Sequence, residues 1–348
     1  MTRTIIVTGA GGVGKTTLSA GIAVEAARLG LRTLVLTIDP AKRLADALGV
    51  AELGDEPKPV EGEPHLHAAM LDVAASWEAI IHRYAEPDVG DRLLVNPYFR
   101  AIADRFPAAQ SYAAGERMAD SIESKLYDVV VVDTPPSGGG LDFYLAPART
   151  GALISGKLLK WLTGSHLPGR SVLYRMTAKP MLKFADVVLG GPMLSDVADF
   201  VLDLRTMYDG LSVRTKTIDR YLRAADTIIA TTADPTPINE TRRFFDELGD
   251  IRIAPRAVLF NRTLPTEWIH ASGEPHAEID DPGLMAATTE NLVAWASEAQ
   301  RQLDAADELS ARYGVPVYEL PWTVPPPATL DDLADLVAPA SISDWLAE

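Results

Sequence analysis

Residues Gly9-Ala10-Gly11-Gly12-Val13-Gly14-Lys15-Thr16 fit the spacing G-x-x-x-x-G-K-S/T, and Thr17 follows directly. Glycines at these places let successive backbone N–H groups turn inward around an anion, and a helix opening at the same point adds the positive end of its dipole. Lys15 is then spaced to meet the β and γ phosphates of a nucleoside triphosphate, and the Thr16 hydroxyl to ligate Mg²⁺. The candidate phosphate cradle is Gly11, Gly12, Val13, Gly14, Lys15, Thr16 and Thr17. Two carboxylates follow short apolar runs, Asp39 in Thr37-Ile38-Asp39-Pro40-Ala41 and Asp133 in the segment that continues into Gly138-Gly139-Gly140. Either alone reads equally well as a turn or helix cap. Together with the loop they make a phosphoryl-transfer set, with Lys15, Asp39 and Asp133 as candidate catalytic residues and Thr16, Asp39 and Asp133 as candidate Mg²⁺ residues.

The elements that must hold these groups are visible in the apolar pattern. Residues 4–8 are β-branched and short, a buried strand, and a helix is expected from about 16 to 29 with Gly30 ending it. Residues 32–38 and 127–133 repeat the strand pattern, as do 227–230, 257–260 and 315–320, with helical stretches at 238–248 and 289–313. Alternation of this kind predicts an α/β fold, a doubly wound and mostly parallel sheet with helices on both faces. Open sheets bind ligands beyond the carboxyl ends of their strands, where the loop and both Asp residues fall.

Residues 151–225 break the rhythm. They show amphipathic helical spacing, as in 193–207 with Leu194, Val197, Val201 and Leu204, but no strand. Because strands return afterwards, the expectation is a single domain over 1–348 with a helical insertion at 151–225. Residues 57–64 and 268–282 are polar or rich in Pro and Gly and are expected to be surface loops. Glu240 is expected in the first turn of its helix.

Thirty-two Lys and Arg against 48 Asp and Glu leave a formal charge of −16, a field that repels nucleic acid and anionic membranes as bulk partners. The absence of Cys excludes disulfides, thiolate chemistry and a Cys-held structural zinc. No leader pattern and no long uncharged apolar run is visible, so a cytoplasmic chain is expected.

The loop GAGGVGKTT, the segment TIDPAKRLADALG, the segment VVVDTPPSGGGLDFYLAP and the later LFNR resemble the arsenite-transport and tail-anchored-protein-targeting ATPases of the deviant P-loop (deviant Walker A) class. The likeness covers the core from residue 4 to about 330 and is nearest the actinobacterial members built from two unequal subunits. It implies a dimeric ATPase that uses ATP and Mg²⁺. It implies that Asp39 orients the attacking water, that Asp133 holds Mg²⁺ through water, and that Asn261, with Arg262 beside it, reads the adenine edge. The turn from Pro321 to Pro325 would lie against the base. The family's loop usually carries a second lysine where this chain has Ala10. The implied partner is therefore a paralogous subunit that carries that lysine, or a second copy of the chain, and the implied rival is a regulatory subunit of low turnover.

Between residues 151 and 192, Lys157, Lys160, Arg170, Arg175, Lys179 and Lys183 stand against one acid, Asp186, among bulky apolar residues. This stretch reads either as a contact for a hydrophobic client or a membrane surface, or as ordinary helices with basic stems laid over the core. His65 and His67 alternate along an expected strand but lack further ligands for a metal. The run 278–281 is expected to be a solvated acidic loop.

Overall fold

The structure, a computed structural model, describes residues 2–39, 41–105, 107–135, 140–155, 193–271 and 281–347. The β-branched runs lie side by side in one sheet of order β3-β4-β2-β5-β1-β6-β7-β8. These are β1 Arg3–Gly9, β2 Thr33–Thr37, β3 Lys58–Val60, β4 Glu63–Met70, β5 Val129–Asp133, β6 Asp226–Thr232, β7 Ala257–Thr263 and β8 Val317–Pro321. All neighbours are parallel except β3 and β4. Parallel strands need crossovers, so helices cover the faces and the central strands read as continuous apolar runs; every residue of β2 and β5 is buried.

The helix after β1, α1 (Lys15–Arg28), is buried along most of its length, and its small residues make that possible. A Cβ on Gly21 would fall 2.6 Å from the Leu333 carbonyl, so glycine lets the helix Leu330–Val337 lie directly on α1. That later helix is fixed at its start by Thr329 and Asp332, which cap each other's backbone N–H groups.

The described residues group into two compact units, one of Met1–Met70, Ser121–Leu141 and Ala224–Glu348, the other of Leu71–Asp120 and Asp142–Arg223. The first holds the whole sheet. In the second the described residues are helical, including Val73–Tyr84, Pro87–Val95, Pro97–Arg105, Met193–Thr206 and most of Pro107–Glu123 and Tyr208–Ala224. Pro87, Pro97 and Pro107 each open a helix, where a missing N–H costs no hydrogen bond. Trp77 stacks on Tyr112 and meets Phe99 edge-on inside this unit.

Four expectations are corrected. Residues 57–64 include an antiparallel pair, β3 with the start of β4, because Val60 and Glu63 bury against the sheet despite their polar neighbours. Residues 268–271 form a short helix, Trp268–Ala271. The helix expected from 289 starts at Pro282, capped by Asp281, whose carboxylate accepts from the N–H groups of Gly283 and Leu284; its first turns are exposed and so carry no apolar period. Glu240 sits beyond the first turn of Pro235–Asp250, because Pro235 starts that helix early. The expected contact region falls mostly in 156–192, outside the described residues.

Candidate nucleotide-binding site

The loop leaves β1 at the centre of the sheet. Gly9 has φ 145°, and a Cβ there would lie 2.0 Å from the Ala230 carbonyl of β6, so only glycine lets the chain turn out at this point. Gly14, with φ 95°, is the N-cap of α1 and provides no side-chain cap, nor does the first turn carry an acid. The leading N–H groups of α1 are thus left to an external acceptor, the arrangement that binds phosphate. The Lys15 side chain is buried, and its Nζ donates to the carbonyls of Gly9 at 3.0 Å and Ala10 at 2.7 Å. Burial lowers the Lys15 pKa below its ordinary value, while Asp133, Asp39 and Glu240 pull it up and Arg43 adds to the lowering. Ala10 is itself buried, within the same core cluster as Val7 and Val13.

Register sets the second part. Asp133 ends β5 with Thr37 of β2 opposite it on one side and Val7 of β1 on the other. Its carboxylate is fully buried, and Oδ2 accepts from the hydroxyls of Thr16 at 2.8 Å and Thr37 at 2.9 Å. The Ser19 hydroxyl donates to Oδ1 at 3.5 Å. Burial pushes the Asp133 carboxyl up to about 6, against the pull of the Thr16 and Thr37 hydroxyls and of Lys15. Thr37 and Ser19 were missed in the sequence, although Ser19 follows Thr16 by three residues and so shares its helix face. Thr134 bonds back to the Val7 carbonyl through both its N–H and its hydroxyl.

Asp39 lies just past β2. Its Oδ1 accepts from the Ala41 N–H at 3.0 Å, a turn cap, and its Oδ2 lies 3.7 Å from Nη1 of Arg43, the first residue of the short helix α2 (Arg43–Leu48). Its own N–H donates to the Thr37 hydroxyl, which joins the Asp39 segment to Asp133. Asp39 therefore acts as a cap with one oxygen and leaves the other facing a cation.

On the opposite side of β1, Asn261 of β7 reaches over β6 to the loop. Its Nδ2 donates to the Val13 carbonyl at 2.8 Å, and its Oδ1 accepts from the Arg262 N–H. Gly14 takes a φ that strains any other residue, and a Cβ there would also come within 2.5 Å of that Nδ2. Arg262 is exposed with φ 61°. Pro321 closes β8 opposite Thr263, and the next N–H, of Trp322, donates to the Thr263 carbonyl. The structure thus links Thr16, Asp133 and, through Thr37, Asp39 by hydrogen bonds, and ties Lys15 and Asn261 separately to carbonyls of the loop. Residues 136–139, between Asp133 and Gly140, lie outside the described residues.

The donor set suits a hard cation. Thr16 and Asp133 offer oxygen, and a buried carboxylate held only by hydroxyls keeps lone pairs for ordered water or a metal aquo ion. Among the described residues no cluster of three or more His, Asp or Glu is arranged to hold a metal by itself. Among the same residues no helix is long and apolar enough to cross a membrane.

Comparison with known proteins agrees with this geometry. The profile of the anion-transporting ATPases matches residues 2–274, more than three quarters of the chain. The chain is 27% identical over 266 residues to ATPase get3 of Aspergillus terreus, spanning 75% of this chain and 73% of that protein. It is also 27% identical over 259 residues to ATPase GET3 of Malassezia globosa, 74% of this chain and 71% of that one. A Halobacterium salinarum protein provisionally named an arsenical pump-driving ATPase is 34% identical over 157 residues, 42% of this chain and 24% of its own length. A strand-loop-helix with the full phosphate-loop spacing, on a parallel sheet and under a match of this extent, places the chain in the anion-transporting ATPase family as a P-loop ATPase.

Proposed function

We propose that the chain binds ATP with Mg²⁺ at the Gly9–Thr16 loop, hydrolyses it, and uses the nucleotide state to switch a helical region that meets a client or partner. The observation that carries this reading is the fully buried Asp133 carboxylate, bonded to the loop's own Thr16 and, through Thr37, to the Asp39 segment. Lys15, now on two loop carbonyls, turns to the β and γ phosphates, whose oxygens replace those acceptors. Thr16 and Asp133 would hold Mg²⁺, which would neutralise charge on the phosphates. Asp39 uses the oxygen that is not engaged by the Ala41 N–H to orient the attacking water. Asn261 supports the loop from β7 and, with Arg262 and Pro321, borders the base. Since Asp39 and Asp133 are linked by Thr37, contact with a γ-phosphate on one segment is transmitted to the other, and its loss on hydrolysis releases both.

The chain is proposed to be a single cytoplasmic domain with a helical insertion over 151–225. It would work as half of a dimer of the actinobacterial heterodimeric type, its partner a paralogous subunit bearing the loop lysine absent at Ala10, or a second copy. Residues 151–192, basic and apolar by sequence, are the proposed client or membrane-surface contact. A chain without cysteine offers no thiolate to arsenic, so the cargo named for the archaeal relative is not carried over. Ala10 supports a second reading, a nucleotide-binding regulatory subunit of low turnover. Steady-state phosphate release by the chain alone, with a paralogous partner, and with that partner lacking its lysine tests both. Mg²⁺-dependent turnover under any of these conditions is expected; ATP binding without turnover under all of them would leave the regulatory reading.

A further inference from the structure

A phosphoryl group in transfer needs positive charge on its equatorial oxygens and on the oxygen that leaves. The loop supplies one cation, Lys15, which is buried and tied to loop carbonyls. Position 10 supplies none. Lys42 and Arg43 flank the Asp39 segment, and of the two it is Arg43 whose charge is felt at Lys15 and whose Nη1 faces Asp39. The 3.7 Å separation is a loose ion pair, and the Arg43 side chain is 62% exposed, so little holds the guanidinium where it is. Among the described residues it has no other ion pair. Asp39 meanwhile is pinned by its bond to the Ala41 N–H and does not need Arg43 to keep its place.

Building on the ATPase reading above, we propose that Arg43 supplies from within the chain the transition-state cation that the loop lacks, its guanidinium passing from Asp39 to the γ-phosphoryl group. Water adds to the γ-phosphorus as the bond to the ADP oxygen breaks. The bonding electron pair stays on ADP, and both of the water's protons leave with the phosphate. Arg43 donates N–H groups to the oxygens on which that charge collects, and its planar fork suits two of them at once. A partner's loop lysine would then add to a charge that this chain already supplies.

The test uses the full chain, alone and with its partner. Arg43→Ala is expected to lower kcat about a thousandfold, the lower end of what a directed arginine supplies, with ATP affinity changed less than about threefold. The same variant is expected to lose tight binding of ADP with fluoroaluminate, a mimic of the group in transfer, and to regain turnover in millimolar guanidinium. Arg43→Lys should recover part of the rate. Turnover of Arg43→Ala near that of the unaltered chain, or unchanged fluoroaluminate binding, overturns the proposal. So does a rate for Arg43→Ala with Asp39→Asn equal to that of Asp39→Asn alone, since Arg43 would then act only through Asp39. Absence of ATP binding by the unaltered chain would overturn the ATPase reading itself, a failure that the affinity measurement separates from one confined to Arg43.

Discussion

Asp133, in the sheet-bearing unit, is fully buried and receives its hydrogen bonds from hydroxyls. Glu116, in the helical unit, is nearly as buried, yet it meets Arg214 at 2.9 Å and Arg83 at 2.7 Å, and Arg214 also reaches Asp120. Burial raises both carboxyls, but at Glu116 the two arginines pull in the other direction, and at Asp133 no cation stands within ion-pair distance among the described residues. Removing charge from water is costly, and an internal counter-charge offsets much of that cost. Where the fold provides one, the carboxylate is part of the scaffold. Where it provides only hydroxyls, the cost is not offset by an ion pair among the described residues, and the proposed Mg²⁺ would supply the missing charge.

If that distinction holds, changes around Asp133 alter turnover with the fold retained, and changes around Glu116 do the reverse. The largest effect is expected for Lys15→Ala, which deletes the loop's cation and should lower turnover by about a thousandfold or more while leaving the unfolding midpoint in place. Phosphate release and thermal unfolding on the same sample check it; unchanged turnover would remove the loop from the mechanism. Arg214→Ala leaves Glu116 buried without the more buried of its two arginine partners and should cost about 3–5 kcal/mol of stability, read from urea unfolding followed by helical circular dichroism. A midpoint that does not move would mean the two carboxylates are not treated differently after all.

Asp133→Asn sharpens the comparison through pH. Because the folded pKa lies above the ordinary value of 3.8, at about 6, the native state holds the proton more firmly and the nucleotide-free protein loses stability as pH rises between those values. Above about pH 7 the ionised carboxylate costs on the order of 3 kcal/mol, and the neutral amide avoids that cost. The variant should therefore unfold at a higher midpoint than its parent at pH 8, match it below pH 4, and lose Mg²⁺ stimulation. The smallest change is expected for Asp39→Asn, which keeps the turn cap through its amide oxygen. ATP affinity should hold while hydrolysis slows about a hundredfold, since the amide orients water without its charge. Parental turnover in this variant would reduce Asp39 to a cap.

The loop, its strand and both Asp positions were legible because glycine, β-branched residues and carboxylates each had a local signature. Residues 3–9 and 129–133 are buried on both faces, so their apolar runs were continuous and unambiguous. The hydroxyls of Thr37 and Ser19 were not legible, because nothing local tells a threonine at a strand end that a carboxylate from another strand will stand opposite it in register. Asn261 was placed by resemblance, and its bond to Val13 across β6 is a fact of sheet order that spacing does not contain. The helices from 73 to 123 escaped notice although Pro87, Pro97 and Pro107 mark three of their starts at even intervals.

The seat of the Leu330–Val337 helix on Gly21 bears on the order in which the protein becomes whole. The helix that carries Lys15 and Thr16 and the surface that closes over it are separated by some three hundred residues. Contacts of such separation form late and slow the approach to the native state. Arg3 of β1, which bonds to the Trp345 carbonyl, is bound to the same timetable. Until the helix Leu330–Val337 docks, the face of α1 that carries Gly21 lacks that cover. Completion of the helix that bears the phosphate-loop residues thus waits on the meeting of segments far apart in the chain.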